Sequence, residues 1–149
     1  MTFSIERFWK WFLLLAWLYL AVPVMVPGQF WYTIHDITIE SKPLGDTPKA
    51  TIDRTIHRRF SGTWFSTLYR VFPDGHVEVV PRCTREIPIT IEPGQELPDE
   101  ITLASMISAT CPLRPGTFQV RGILTINPER FFPTKRLPFR SNTFKILEN

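Results

Sequence analysis

Residues 9–33 read WKWFLLLAWLYLAVPVMVPGQFWYT, and this stretch divides the chain. No residue from Trp11 to Val26 is charged, and only Tyr19 carries a polar tip. Sixteen helical residues at about 1.5 Å each reach about 24 Å, short of a hydrocarbon core of about 30 Å. Extension back to Phe8 and forward to Phe30–Tyr32 supplies the missing length. Aromatic residues then stand at both ends, Trp9 and Trp11 at one and Phe30, Trp31 and Tyr32 at the other, as in an interfacial belt. Arg7 and Lys10 flank the first end and can snorkel to headgroups. Pro23 and Pro27 weaken the last turns, and Pro27-Gly28 reads as the exit.

Two other readings compete with a retained anchor. A cleaved signal peptide needs a small residue at the cut, and the tolerable position, after Gly28, has Val26 upstream instead of alanine. A buried core helix is the third. The anchor reading gives a short tail (1–10), a transmembrane signal-anchor helix with its exit turn (11–32), and a domain (33–149). Lys and Arg favour the cytoplasmic flank. Arg7 and Lys10 therefore put the N-terminus inside and the domain in the periplasm or outside the cell, on the inner (plasma) membrane.

The 117 residues after the anchor suffice for one core. Fourteen prolines against seven glycines disfavour a helical domain, because proline breaks helix interiors. The segment TFQVRGILTI (117–126) alternates cleanly, with Phe118, Val120, Leu124 and Ile126 on one face and Gln119, Arg121 and Thr125 on the other. IPITI (87–91), HVEVV (76–80) and TFKIL (143–147) are shorter strands. RFSGTWFSTLYRVF (59–72) is rich in aromatic and β-branched residues and reads as central. A first strand begins at Tyr32 and ends in ITIE, with a bulge at His35-Asp36. FPDGH is a hairpin turn, while EPGQELPD and RPGT supply further turns. DEITLASMIS (99–108) fits a short helix capped by Asp99 or another strand.

About seven strands separated by turns predict a mainly β fold, an antiparallel β-sandwich behind a transmembrane helix. The strand order, the LRPGTFQV entry and the closing SNTFKI strand resemble an immunoglobulin-like domain. Phe118 stands where such domains often carry a corner tyrosine, and Cys83 and Cys111 fall outside their usual inter-sheet pairing. The resemblance implies a scaffold, not an activity. A single span with one such domain also resembles accessory membrane proteins of bacteria or tailed phages.

Cys83 and Cys111 are an even pair in an exported domain and are expected to form a disulfide. A metal site or two buried thiols are the alternatives, although two cysteines without nearby histidines cannot fill a tetrahedral shell. His35, His57 and His76 are about twenty residues apart, and Asp99-Glu100 fits an element start. No nucleophile elbow or phosphate loop is present. No catalytic, cofactor or metal residues are assigned, and a non-enzymatic protein without cofactor is expected. The net charge of +3 is spread among acids, which speaks against nucleic acid.

PERFFPTKRLPFR (128–140) has the strongest functional look. Read as a long loop between the last two strands, it offers Arg130, Phe131, Phe132, Lys135, Arg136, Phe139 and Arg140 as partner-binding candidates, since aromatics beside arginines make hot spots. The competing reading folds its phenylalanines into the core or makes it an edge strand. The expected partners are the bilayer, through 11–32, and other membrane or envelope proteins. The role is then an interaction or assembly module, an accessory or structural subunit of a membrane complex. The alternative is an anchored or secreted protein that recognises an anionic ligand through arginines.

Overall fold

A computed structural model describes residues 5–129 and 131–148. Helix α1 (Ile5–Met25) is long and apolar enough to cross a membrane, and none of its residues is buried by the rest of the chain. It starts six residues before the apolar run, so Arg7 and Lys10 lie within it. A single 3-10 turn, Gly28–Phe30, follows.

The remainder is mainly β. Nine strands are present among the described residues, against an expectation of about seven: β1 (Tyr32–Ile39), β2 (Lys42–Pro43), β3 (Lys49–Ile56), β4 (Phe60–Val71), β5 (Val77–Ile91), β6 (Glu100–Thr102), β7 (Gly116–Asn127), β8 (Lys135–Arg140) and β9 (Phe144–Leu147). One sheet has the order β1-β3-β6. The other runs β2-β9-β7-β4-β5, with β8 also on β7. The expected all-antiparallel arrangement is corrected at one pair, because β2 lies parallel to β9.

Several sequence features appear where expected. Strand β4 is central between β5 and β7. The register of β1 against β3 shifts between Ile34 and Asp36, at the anticipated bulge. The alternation of 117–126 is real, since Phe118, Val120, Leu124 and Ile126 are all buried. The turn after β4 closes with Phe72 N–H to the His76 carbonyl, and Gly75 takes the positive φ the turn requires. The ambiguous segment 99–108 splits into β6 and a one-turn helix, α2 (Leu103–Met106), with Thr102 instead of Asp99 at its N-cap.

Two expectations fail for local reasons. The separate strands at 76–80 and 87–91 are one long strand, β5, buckled where its register against β4 slips between Thr67 and Tyr69. Pro81 has no amide to donate there, and Arg82 adopts φ 63°. Cys83 beyond the buckle is fully buried. Residues 135–140 are a strand and not a loop: β8 pairs with β7 from Arg121↔Arg140 to Ile126↔Lys135. The basic residues and Pro138 hid an ordinary alternation, with Leu137 and Phe139 inward and Arg136, Pro138 and Arg140 outward.

Strands β8 and β9 continue along one edge of β7, interrupted at 141–143 by one extra residue in the register. This bulge joins the sheets. The Asn142 amide N–H donates to the Ile37 carbonyl (3.1 Å), its Nδ2 to the Ile39 carbonyl (3.1 Å), and its Oδ1 accepts from Ile39 N–H (2.7 Å). The side chain thus serves the edge of β1 as another strand would. Ser141 keeps β7 paired across the bulge, donating its amide to Val120 O (2.8 Å) and accepting Val120 N–H at its hydroxyl (3.0 Å). The core between the sheets includes Tyr32, Phe60, Leu68, Leu124 and Phe144.

Candidate functional site

Three regions bear on function: the helix exit, the outer face of the larger sheet, and a cleft on the open side of the two-sheet domain.

At the exit, Pro27 lacks the amide that would bond the Pro23 carbonyl, and the chain turns before Gly28 can serve Val24. Lys135 takes over both, with Nζ 3.1 Å from Pro23 O and 2.8 Å from Val24 O. A cation at a helix C-terminus also meets the negative end of the helix dipole. Gly28 is buried against β8, where an added Cβ would stand 2.8 Å from Leu137 Cδ2. Trp31 is tied back by its carbonyl, which accepts the amides of His57 (2.9 Å) and Arg58 (3.2 Å), and its ring meets Phe132 edge-on at 5.1 Å. The β domain therefore grips the end of α1 directly.

This grip reassigns much of the candidate segment. Phe132 and Lys135 contact the chain's own exit, and Phe139 is buried, stacked on Trp64 at 4.1 Å. Phe139 is thus corrected from partner-facing to internal, while Phe132 and Lys135 are half-buried with contacts inside the chain. Phe131, Arg136 and Arg140 remain exposed. Arg130 lies outside the described residues. The expected belt is corrected as well. Trp31 and Tyr32 are 3% and 2% exposed inside the protein, leaving Phe30, Trp9 and Trp11 open to the surroundings.

Arg136 and Arg140 project from the outer face of the larger sheet. Register places Glu86, Phe65, Ile123 and Pro138 in one row across β5, β4, β7 and β8. Phe65 and Ile123 are exposed, and Arg136 and Arg140 flank Pro138 on the same face. Arg121 lies over the Tyr69 ring at 5.2 Å. The result is an apolar stretch, Phe65–Ile123–Pro138, ended by the Glu86 carboxylate and bordered by guanidinium groups on a hydrogen-bonded sheet. Phe65 and Ile123 were not singled out from sequence. Their odd-numbered positions, opposite Trp64 and Leu124 in the alternation, are the signal that would have found them.

On the open side, a cleft of about 420 Å³ lies between β3 and β5, lined by Tyr32, Ile52, Arg54, Ile87, Ile89 and Leu97 among others. Arg54 Nη2 donates to the Pro98 carbonyl at 2.7 Å. Burial raises the Tyr32 phenol above its ordinary range, and the nearby Arg54 charge, with a hydrogen bond to the hydroxyl, partly offsets this. The connector 92–115 straps this side. Ser66 Oγ donates to the Met106 carbonyl, Arg85 Nη1 to the Ala104 carbonyl (2.8 Å), and Cys83 and Cys111 lie at disulfide distance, with Cα atoms 4.6 Å apart.

Two histidines flank one cross-strand pair, Thr33↔Thr55, and the third lies elsewhere. His57 and His35 bond Thr33 (3.1 Å) and Thr55 (2.8 Å), and His76 lies in the β4–β5 turn. Glu100 pairs with exposed Lys49 at 3.1 Å. Among the described residues, no three His, Cys, Asp or Glu side chains converge. Comparison with protein-family models, with curated proteins and with solved structures returned no match.

Proposed function

We propose that this chain is a single-pass membrane protein whose β domain is a non-enzymatic interaction or assembly module, an accessory or structural subunit of a membrane complex. In this reading α1 crosses the inner (plasma) membrane with its N-terminus in the cytoplasm. The two-sheet domain, an immunoglobulin-like sandwich in type, stands in the periplasm or outside the cell. The observation that carries the reading is the row Phe65–Ile123–Pro138 with Arg136 and Arg140 beside it. Apolar side chains bordered by arginines on a rigid sheet have the composition of an interface centre. The grip of Lys135 and Gly28 on the helix end supports it further, because a domain gripped this way presents that face at a fixed height.

Purification of the full chain in mild detergent tests this. A stoichiometric partner is expected with the native protein and is expected to be lost with the double variant Phe65→Ser/Ile123→Ser at unchanged thermal stability. A clean monomer from the native protein sinks the proposal.

A second reading, an anchored protein that recognises an anionic ligand, is favoured by the apolar cleft with Arg54 at its wall. A pocket of this size suits a small amphipathic molecule. A thermal shift produced by a medium-chain fatty acid, absent in Arg54→Gln, would support it over the assembly module.

A further inference from the structure

We propose that the tip between β7 and β8, led by Phe131, is a second lipid contact that dips into the membrane interface beside α1. This rests on the reading of α1 as a membrane anchor. Phe131 is 74% exposed, whereas the other exposed large hydrophobics of the β domain reach 48% at most. Its ring lies 6.0 Å from that of Tyr19, in an edge arrangement. Tyr19 precedes the last helical residue, Met25, by six positions, or about 9 Å along the axis. Helical side chains lean toward the N-terminus, which sets the Tyr19 ring deeper still. The tip therefore folds back past the helix end, along a surface that the domain leaves uncovered.

The dimensions fit a bilayer. The uncharged part of α1, Trp11–Met25, spans about 22 Å, so with Met25 at one boundary of a hydrocarbon core of about 30 Å the long side chains of Arg7 and Lys10 snorkel to the other. With Met25 at the boundary, Phe131 sits about 9 Å below it, within the 5–10 Å depth of interfacial apolar groups. The charges around it suit headgroups. Phe30 is partly exposed, and the Arg58 guanidinium lies 4.2 Å from its ring centre. Arg59 is held between Glu92 and Glu129, both at 3.4 Å, and Lys135 is occupied by the helix carbonyls. Among the described residues at this end, Arg58 then has its charge directed to meet anionic lipid. A lone span can tilt in the bilayer and carry the gripped domain with it, whereas a second lipid contact limits that tilt.

The test uses the full chain in vesicles of phosphatidylcholine with a minority of phosphatidylglycerol. A nitroxide is attached to a cysteine replacing Phe131, Phe12 or Glu78 in separate variants that keep the Cys83–Cys111 pair. Collision with oxygen, which concentrates in lipid, is compared with collision with a water-soluble nickel chelate. The label at 12 should be deep, the label at 78 aqueous, and the label at 131 several-fold richer in oxygen than the one at 78. A deep label at 12 with an aqueous label at 131 overturns the tip proposal and leaves the anchor standing. A label at 131 shielded from both reagents means that protein covers the tip, which also overturns it. An aqueous label at 12 removes the anchor, and the tip proposal with it.

Discussion

The two long sides of the two-sheet β domain are closed in different ways. On one side Asn142 hydrogen-bonds both Ile37 and Ile39 of β1, and the chain crosses from β1 to β2 to join β9, so the sheets meet through backbone-like pairing. On the other side β5 and β3 stand apart, with the cleft between them and the connector 92–115 laid across. The first closure uses directional bonds between the strand edges. The second uses a covalent strap and apolar contact, which hold the sheets together without filling the gap. A domain welded along one seam and strapped along the other keeps its outer face rigid while one side stays accessible.

The largest expected effect comes from cutting the strap. Replacing Cys83 and Cys111 together with Ala frees a segment with a sequence separation of 28, which the chain-entropy relation puts at about 3–4 kcal/mol of stability. Urea unfolding of the full chain in detergent measures it. The same loss should follow reductant alone. Unchanged stability under reductant would mean that apolar packing closes this side unaided, and the contrast between the two seams would collapse.

Asn142→Ala comes next. It strips the partners from the amide and carbonyl of Ile39, a residue 2% exposed, at about 1–3 kcal/mol for each unsatisfied buried group and about 2–3 kcal/mol once water reaches one of them. Asn142→Asp retains the acceptor for Ile39 N–H but sets a carboxylate oxygen where Nδ2 serves the Ile39 and Thr143 carbonyls, so it should cost more than Asn142→Ala. A cost below that of Ala would show that the bond to Ile39 N–H carries the weld.

How much of this could be read from the sequence depended on whether the cause was periodic. Strand β7 and the bulge in β1 were visible because alternation and its interruption are local. Strand β3 carries Asp53 and Arg54 on a partly exposed ladder, and β8 carries three cationic residues and a proline, so the alternation of each is masked until its neighbour is known. The role of Lys135 was illegible for a different reason: its partners, the carbonyls of Pro23 and Val24, are more than a hundred positions away. In the segment 128–140, Lys135 and Phe132 bind the exit of the chain's own helix. The segment's outward residues, Arg136 and Arg140, gained meaning only when the register set them beside Ile123 and Phe65.

The smallest effect probes the open side through its one perturbed phenol. Burial holds Tyr32 in its neutral form and raises its pKa above 10.0, against the opposing pull of Arg54. Because the folded-state value lies above the unfolded one, this contribution to stability is fully present below pH 10. It declines as pH rises from there toward the folded value, since the unfolded chain releases the proton first. The slope for one group cannot exceed about 1.4 kcal/mol per pH unit. Lysines titrate in the same range, so the measurement is a difference: unfolding free energy between pH 9 and 11 for the native chain against Tyr32→Phe. The native protein should lose more stability over that interval than the variant, which has no phenol to ionise. Arg54→Gln should widen the gap, because the charge that offsets burial is gone. Parallel profiles for native and Tyr32→Phe would show that water in the cleft solvates the Tyr32 hydroxyl, making the open side more open than its apolar lining suggests.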